Sequence, residues 1–477
     1  MQQHLKKDWA ILSFFALLFS IIYNIYYPPI SGIEDEIGFI NQAILWTHHK
    51  LTLDSPFLDG KFLGDLGEHD GHFLFIRNPL RSFTLMPFIW TNQLGGIFYS
   101  SLFIHLTLTL VFAIILHHFL ISPTYAIFIL FHPTLALYSR TIMADTLAAT
   151  LILLSFLFTI KSKKYGPILS GLSIGIATFA RYHAAFALLF FALFYFYFNE
   201  RRFDFKKTFL CTLSGVIPIC LVFLYNFYLF KSPFGLTSNV GEFNLSFFND
   251  NWFFYLVALT IIWPGMLITP FFKFNKYTPL IFSIALFYLL FLLFYYYHDS
   301  SNNFLQTLVI GQRLLQIALP FWCLSFVFFI SKYCQKWKYQ VRLMFTLAIL
   351  LFISNFFLFK IHQRHLNELI EYKTVLRNVI PANSPVLSTK TLIKLFGIPG
   401  NDTPNYTWAY FTFIDKNSDH LYQDIIRQDF YLAILLKDSD EFKIKSMNNF
   451  VQRYQLALIK KHKLLYIFKN PRQNQKS

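Results

Sequence analysis

Apolar residues in this chain arrive in runs of 16 to 22, separated by short basic clusters. That pattern constrains the fold more than any other feature. A membrane-crossing helix needs about 20 largely apolar residues. In lipid, each backbone N–H and C=O must be bonded within its own segment, so such runs fold as helices. We count eleven candidates, at 9–27, 96–116, 123–138, 142–160, 166–181, 183–198, 209–230, 251–271, 279–297, 313–331 and 343–360. Composition agrees, with 55% hydrophobic residues, 61 phenylalanines and only 14% charged residues. A soluble domain carries roughly 25% charge, and a disordered chain needs low hydrophobicity. The net charge of +16 is spread in clusters between apolar runs, which argues against nucleic acid as a partner and for membrane lipids. Cys211, Cys220, Cys323 and Cys334 show no metal-ligand spacing and no disulfide framework. The expected class is an α-helical polytopic membrane protein of about eleven spans.

Loop cations set the expected orientation. Lys6-Lys7, Lys161/Lys163/Lys164, Arg201/Arg202/Lys206/Lys207, Lys273/Lys276 and Lys332/Lys336/Lys338/Arg342 recur on alternate sides of the runs. Eleven spans put all of them on one face, which is then cytoplasmic along with the N-terminus. The first run has no small-residue cleavage site, and Tyr26-Tyr27-Pro28-Pro29 follows it, so it is expected to stay as an anchor. The expected division is a transmembrane domain at 1–360, with its first outer loop at about 28–95, and an extracytoplasmic C-terminal domain at 361–477. In that tail Phe430–Leu436, Leu456–Ile459 and Leu464–Phe468 read as strands and 441–453 as an amphipathic helix, which makes a small α/β domain.

The acids are unevenly placed. Of 25, eight lie in the first outer loop: Glu34, Asp35, Glu36, Asp54, Asp59, Asp65, Glu68 and Asp70. Ten lie in the tail, and within the apolar runs Asp145 stands alone. A loop this acidic, entered straight from a membrane helix, points to an outward-facing site. Ser31 and Glu34 fit a capping box, and Ile37, Ile40, Ile44 and Leu45 recur at helical spacing, as in an amphipathic helix lying in the membrane interface. Glu34 is explained by the positive end of that helix. Asp35 and Glu36 carry a second reading, since adjacent acids repel and a carboxylate held there can serve as general base.

Arg77-Asn78-Pro79-Leu80 closes the loop. Pro79 suits a helix start, and Arg77 suits either a lipid headgroup or a bound phosphate. Arg140 and Asp145 flank the outer end of two runs and either pair with each other or serve a site. Arg181-Tyr182-His183 makes an outer turn, and Arg313 follows shortly after His298-Asp299. Snorkelling to headgroups explains each cation singly; together with Arg77 they form a candidate phosphate clamp. His69-Asp70-Gly71-His72, with His48-His49 upstream, leaves a divalent cation open as a cofactor, although the spacing lacks a third fixed ligand.

These residues resemble the GT-C superfamily of integral-membrane glycosyltransferases, and within it the bacterial branch of aminoarabinose transferases and protein mannosyltransferases. Four stretches carry the resemblance in order: Asp35-Glu36 with Phe39 and Asn41–Leu45; Arg77-Asn78-Pro79-Leu80; His132-Pro133 through Ser139 to Asp145; and Gly171 to Arg181. Asn78 stands where the family usually has Pro, and Arg77 where Lys is common. The resemblance implies transfer of a sugar from a polyprenyl-phosphate donor to a lipid (such as lipopolysaccharide), glycan or protein acceptor on the outer face of the plasma membrane, with inversion and without a nucleotide. It implies Asp35 as the base, Glu36 as its support and Asp145 as a second carboxylate. Arg77, Arg140, Arg181 and Arg313 become candidates for the donor phosphate, and Glu34, Asn78, His183 and His298 for other substrate contacts. The rival reading is a polytopic transporter or flippase, which predicts acids near mid-membrane and broken helices in matching halves.

Overall fold

The computed structural model describes residues 2–54, 57–58, 61–62, 66–91, 94–162, 164–198, 204–233, 243–257, 268–295, 309–333, 340–389, 392, 406–411, 429–436 and 440–470. The chain is mostly helical and forms two compact units. One comprises Met1–Tyr27, Asn78–Phe88 and Asn92–His362, and the other Pro28–Arg77, Ile89–Thr91 and Gln363–Ser477.

In the first unit the apolar runs become helices of unequal length. Among the described residues, four helices are long and apolar enough to cross a membrane: Lys6–Ile25, Tyr99–His118, Phe205–Phe230 and Phe345–Val379. Shorter apolar helices cover Asp145–Lys161, Gly166–Thr178, Thr278–Leu293 and Leu319–Tyr333. The run at 123–138 is not one span. It breaks into a 3₁₀ turn at Pro123–Ala126 and short helices at Ile127–Leu130 and Pro133–Tyr138. Pro133 takes a first helical position, where its missing N–H costs nothing, and so ends the preceding turn. Residues 126–146 are all buried, which is the condition under which broken backbone is tolerated at membrane depth. The run at 183–198 likewise divides into a 3₁₀ turn, a helix and a π turn. Residues 258–267 of the run at 251–271 lie outside the described residues. The last run is part of a 40-residue helix, Gln340–Val379, about 60 Å long at 1.5 Å per residue.

Helices Gly166–Thr178 and Phe205–Phe230 meet at backbone contact. A Cβ on Gly171 would fall 2.0 Å from the Cys211 carbonyl oxygen, and one on Gly175 2.6 Å from that of Gly215. Small residues that let backbones touch are how helices associate without a hydrophobic drive in lipid. This contact fixes the helix that ends just before Arg181.

The second unit contains the helix Glu34–Thr47 and two small hairpins, β1 (Phe57–Leu58) with β2 (Lys61–Phe62) and β3 (Leu66–His69) with β4 (His72–Phe75). Its five-stranded sheet joins β5 (Pro385–Ser388), β6 (Thr407–Tyr410), β7 (Tyr431–Leu435), β8 (Ala457–His462) and β9 (Leu465–Lys469) in the order β6-β5-β7-β9-β8. β5 runs parallel to β6 and β7, whereas β7, β9 and β8 are antiparallel. Alternate side chains feed two cores, as the two-residue period of a strand requires. Val386, Ala433, Leu465 and Ile467 pack with Leu366, Leu369, Tyr372 and Leu376 of the long helix. Leu387, Leu432, Ile434 and Phe468 pack with Met447 and Phe450 of the helix Glu441–Arg453.

The Glu34–Thr47 helix is not the amphipathic interfacial helix expected from its isoleucines. Residues 36–45 are all buried, because Phe39, Gln42 and Ala43 occupy the opposite face and are enclosed as well. A helix covered all round belongs to an interior.

Candidate active site

The first acidic centre lies in the second unit and begins with the helix start. Ile33, not Ser31, is the N-cap, and the helix opens at Glu34. The capping acid is Glu36: its Oε2 accepts from Gly32 N at 2.8 Å and from Ile33 N at 2.9 Å. An acid at the third helical position can reach back to these orphan donors, which Glu34 at the first cannot. Glu36 is buried and held in that role. The side chain of Glu34 lies outside the described residues.

Asp35 is partly exposed. Its Oδ1 accepts from Arg77 Nη2 at 2.7 Å, and the two side chains are 19% and 21% exposed. Two helical turns on, Gln42 Nε2 donates to the Arg77 carbonyl at 3.1 Å. One helix face thus holds both ends of Arg77, backbone and guanidinium. On that helix Asn41 is fully buried, and neither end of its amide has a partner among the described residues.

The second centre lies in the first unit. Asp145 opens the helix Asp145–Lys161 and is fully buried. Its Oδ2 accepts from Arg181 Nη2 at 2.6 Å and lies 3.6 Å from Arg313 Nε. Arg181 caps the 3₁₀ turn Tyr182–Ala185, and Arg313 opens the turn Arg313–Ile317. The next residue, Thr146, donates to Gln316 Oε1 at 2.7 Å. Half-buried His183 follows Arg181 in the turn, and its carbonyl accepts from Tyr288 Oη at 2.9 Å.

Arg140 is not the partner of Asp145. Its Nε donates to His362 Nδ1 at 3.1 Å, its Nη1 to the Tyr26 carbonyl, and its guanidinium lies over the Phe359 ring. It ties helix ends together through these partners, and the Arg140–Asp145 pairing expected as one alternative is not formed. Asn78 caps the helix Pro79–Phe83, and its Nδ2 lies 3.5 Å from the Thr178 carbonyl. His298 lies outside the described residues.

The His69–His72 stretch has a local explanation. Asp70 and Gly71, at φ 52° and 75°, form the two-residue turn of the β3–β4 hairpin. Asp-Gly is the preferred pair for that turn, where both residues need positive φ. His72 Nδ1 pairs with Asp54 at 3.1 Å. No group of three or more His, Cys, Asp or Glu able to hold a metal occurs among the described residues.

Three residues escaped the sequence reading. Arg81 is fully buried and donates to Thr84, Ser100 and Ser101. The signal was present, since an arginine inside an apolar stretch is costly unless bonded. Gln312 and Gln316 are also fully buried, and an uncharged amide in a span draws no attention in a search for charges.

Comparison with solved structures decides the architecture. The crystal structure of ArnT from Cupriavidus metallidurans bound to undecaprenyl phosphate matches with a TM-score of 0.57 at 9% identity, over 97% of this chain and 98% of that one. The chain shares the fold of that protein. The apo ArnT structure from the same organism matches with a TM-score of 0.53 at 9% identity, over 96% and 98%. No family model matches the sequence, and no curated protein does. The chain shares this architecture over 97% of its length, and among the described residues four of its helices are long and apolar enough to cross a membrane.

Proposed function

We propose that the chain is a glycosyltransferase that moves a sugar from a polyprenyl-phosphate carrier to an acceptor at the outer face of the plasma membrane. The observation that carries this reading is the fold shared over nearly the whole of both chains with a protein crystallised with undecaprenyl phosphate. The Asp35–Arg77 pair supports it. A carboxylate and a guanidinium in contact, both partly open to solvent, provide a base and an anion ligand side by side.

In this reading the donor phosphate competes with Asp35 for the Arg77 guanidinium, whose planar fork suits phosphate. Asp35 Oδ1 is thereby released. It takes the proton of the acceptor hydroxyl or amine as the acceptor attacks the anomeric carbon. The bond from that carbon to the phosphate oxygen breaks, and the polyprenyl phosphate leaves with its developing charge against Arg77. Gln42 keeps the Arg77 backbone in place during the exchange. Glu36 supports Asp35 by fixing the helix start. A single displacement inverts the anomeric centre.

The test supplies labelled undecaprenyl-phosphate sugars to membranes holding the intact chain or Asp35→Asn. Loss of a general base costs about 10²–10⁴-fold in rate, so transfer is expected to fall by at least about a hundredfold. Equal transfer by both proteins removes Asp35 from the chemistry.

A further inference from the structure

A cavity of about 530 Å³ lies at one end of the first unit, within the size range of small-molecule sites, and none of the candidate site residues lines it. Three segments build it: the stretch 119–125 that follows the helix Tyr99–His118, residues 274–275 before the helix Thr278–Leu293, and the last turns of the helix Leu319–Tyr333. Phe119 joins them, its ring 5.8 Å from that of Tyr277 and 5.1 Å from that of Phe328.

The polar part of the lining is rich in donors. Asn275 Oδ1 already accepts from Tyr277 N at 2.8 Å, and Ser122 Oγ from Thr124 N at 3.3 Å. Among the described residues that leaves the Asn275 amide N–H groups and the Ser122 hydroxyl proton to give. Lys332 Nζ carries three protons and donates to the Lys273 carbonyl at 2.9 Å. Among the described residues no acid lines the cavity. Further cations share this end of the unit. Lys276 Nζ lies 5.2 Å from the Tyr277 ring, and the helix start that carries Lys6 and Lys7 reaches it where Thr124 Oγ1 donates to the Asp8 carbonyl at 3.2 Å. A group that only accepts and carries negative charge, a phosphate, matches this set.

The apolar part adds a second requirement. Leu120 lines the cavity at φ 58° and is 72% exposed. A leucine in the left-handed region is strained, and exposure to water gives that strain no return. With Phe274 it makes an apolar wall beside Lys332. The helix Tyr99–His118, long and apolar enough to cross a membrane, ends just before it. Cations next to an apolar wall at the end of such a helix match the place where a lipid headgroup meets its chains.

We propose that this cavity holds an anionic glycerophospholipid, its phosphate on Lys332, Ser122 and Asn275 and its acyl chains against Leu120 and Phe274. The site is separate from the acidic centres and stands whether or not the chain transfers a sugar.

The test uses the full chain in lipid-free detergent micelles, with native mass spectrometry and Tm as readouts. The probes are dioleoylphosphatidylglycerol, dioleoylphosphatidylcholine, undecaprenyl phosphate and inorganic phosphate. Phosphatidylglycerol is expected to bind at least about fivefold more tightly than phosphatidylcholine and to raise Tm by mass action. Lys332→Gln is expected to lose about fivefold in phosphatidylglycerol affinity, the effect of one cation at a membrane surface, and Lys332→Arg to keep it. Leu120→Asn is expected to weaken binding while leaving the lipid-free Tm unchanged or higher, because Asn adopts the left-handed conformation more readily. Equal affinity for the two glycerophospholipids overturns the proposal, as does unchanged phosphatidylglycerol binding in Lys332→Gln or in Leu120→Asn. Undecaprenyl phosphate losing the same factor in Lys332→Gln assigns the cavity to the carrier, and inorganic phosphate displacing phosphatidylglycerol assigns it to a free anion; either result overturns the phospholipid, and so does binding of none of the four.

Discussion

Gly171→Ala is the sharpest test of how packing holds the Asp145 centre. The added Cβ would fall 2.0 Å from the Cys211 carbonyl oxygen and 2.3 Å from Ser214 Oγ. Ordinary contact begins at 3.4 Å, so the two helices must separate by about 1.4 Å at that point. The serine can rotate away; the carbonyl is part of the Phe205–Phe230 helix and cannot. Overpacking of this kind costs about 1–3 kcal/mol, and the rigid neighbour argues for the upper half of that range. The displaced helix leads directly to Arg181, whose Nη2 lies 2.6 Å from Asp145. Even half of the shift carries that bond beyond 3.2 Å and weakens it. The variant should therefore show a lower Tm in detergent and a lower rate of sugar transfer. Gly95→Ala is the control, because nothing lies within 4 Å of its Cβ. A Gly171→Ala Tm indistinguishable from the Gly95→Ala one would refute the reasoning.

Asp145→Asn leaves two guanidiniums in a buried setting without their carboxylate and should cost about 3 kcal/mol; a denaturant titration giving under about 1 kcal/mol rules that out. Adding Arg181→Gln to that variant should restore part of the loss, measured as a double-mutant cycle. Asp204 caps the helix Phe205–Phe230, its Oδ1 accepting from Lys207 N at 3.0 Å and its Oδ2 pairing with Lys207 Nζ at 2.7 Å. Lys207, through its side chain first and its backbone N–H second, holds that carboxyl below the usual range. The contribution is complete above about pH 4 and is lost as pH falls through the lowered folded value. Asp204→Ala should lose about 1 kcal/mol at neutral pH and nothing at a pH below that value; a deficit that persists unchanged in acid assigns the effect to something other than this cap.

Much of the fold was legible because its signals are local. The strands at 431–435 and 465–469 and the helix at 441–453 each follow from hydrophobic period within a few residues, whereas the Asp70-Gly71 turn signal was passed over for the histidines beside it. The apolar runs gave the membrane class for the same reason. They misled where an apolar run is interior rather than spanning. Residues 123–138 carry the hydropathy of a helix, yet Pro133 breaks them and the protein itself encloses them. Hydropathy measures avoidance of water and does not distinguish lipid from protein as the shelter. The parallel strands β5 and β6 were missed because their ladder is not local: β6 pairs only with β5, and the other neighbour of β5, β7, is more than 40 residues away.

At the site, sequence found charges but could not pair them. Asp35 with Arg77, 42 residues apart, and Asp145 with Arg181, 36 apart, were named singly; only the folded chain joins them. Both acids follow one physical rule. A carboxylate held at a helix start in a low-dielectric setting is expensive unless a cation meets it. The two pairs differ in what the rule leaves over. Asp35 and Arg77 meet side chain to side chain, and both remain about one-fifth exposed. Asp145 is fully buried and meets two guanidiniums, those of Arg181 and Arg313. Burial thus sets the two acids apart: one pair sits where solvent reaches it, and the other acid is enclosed together with its cations.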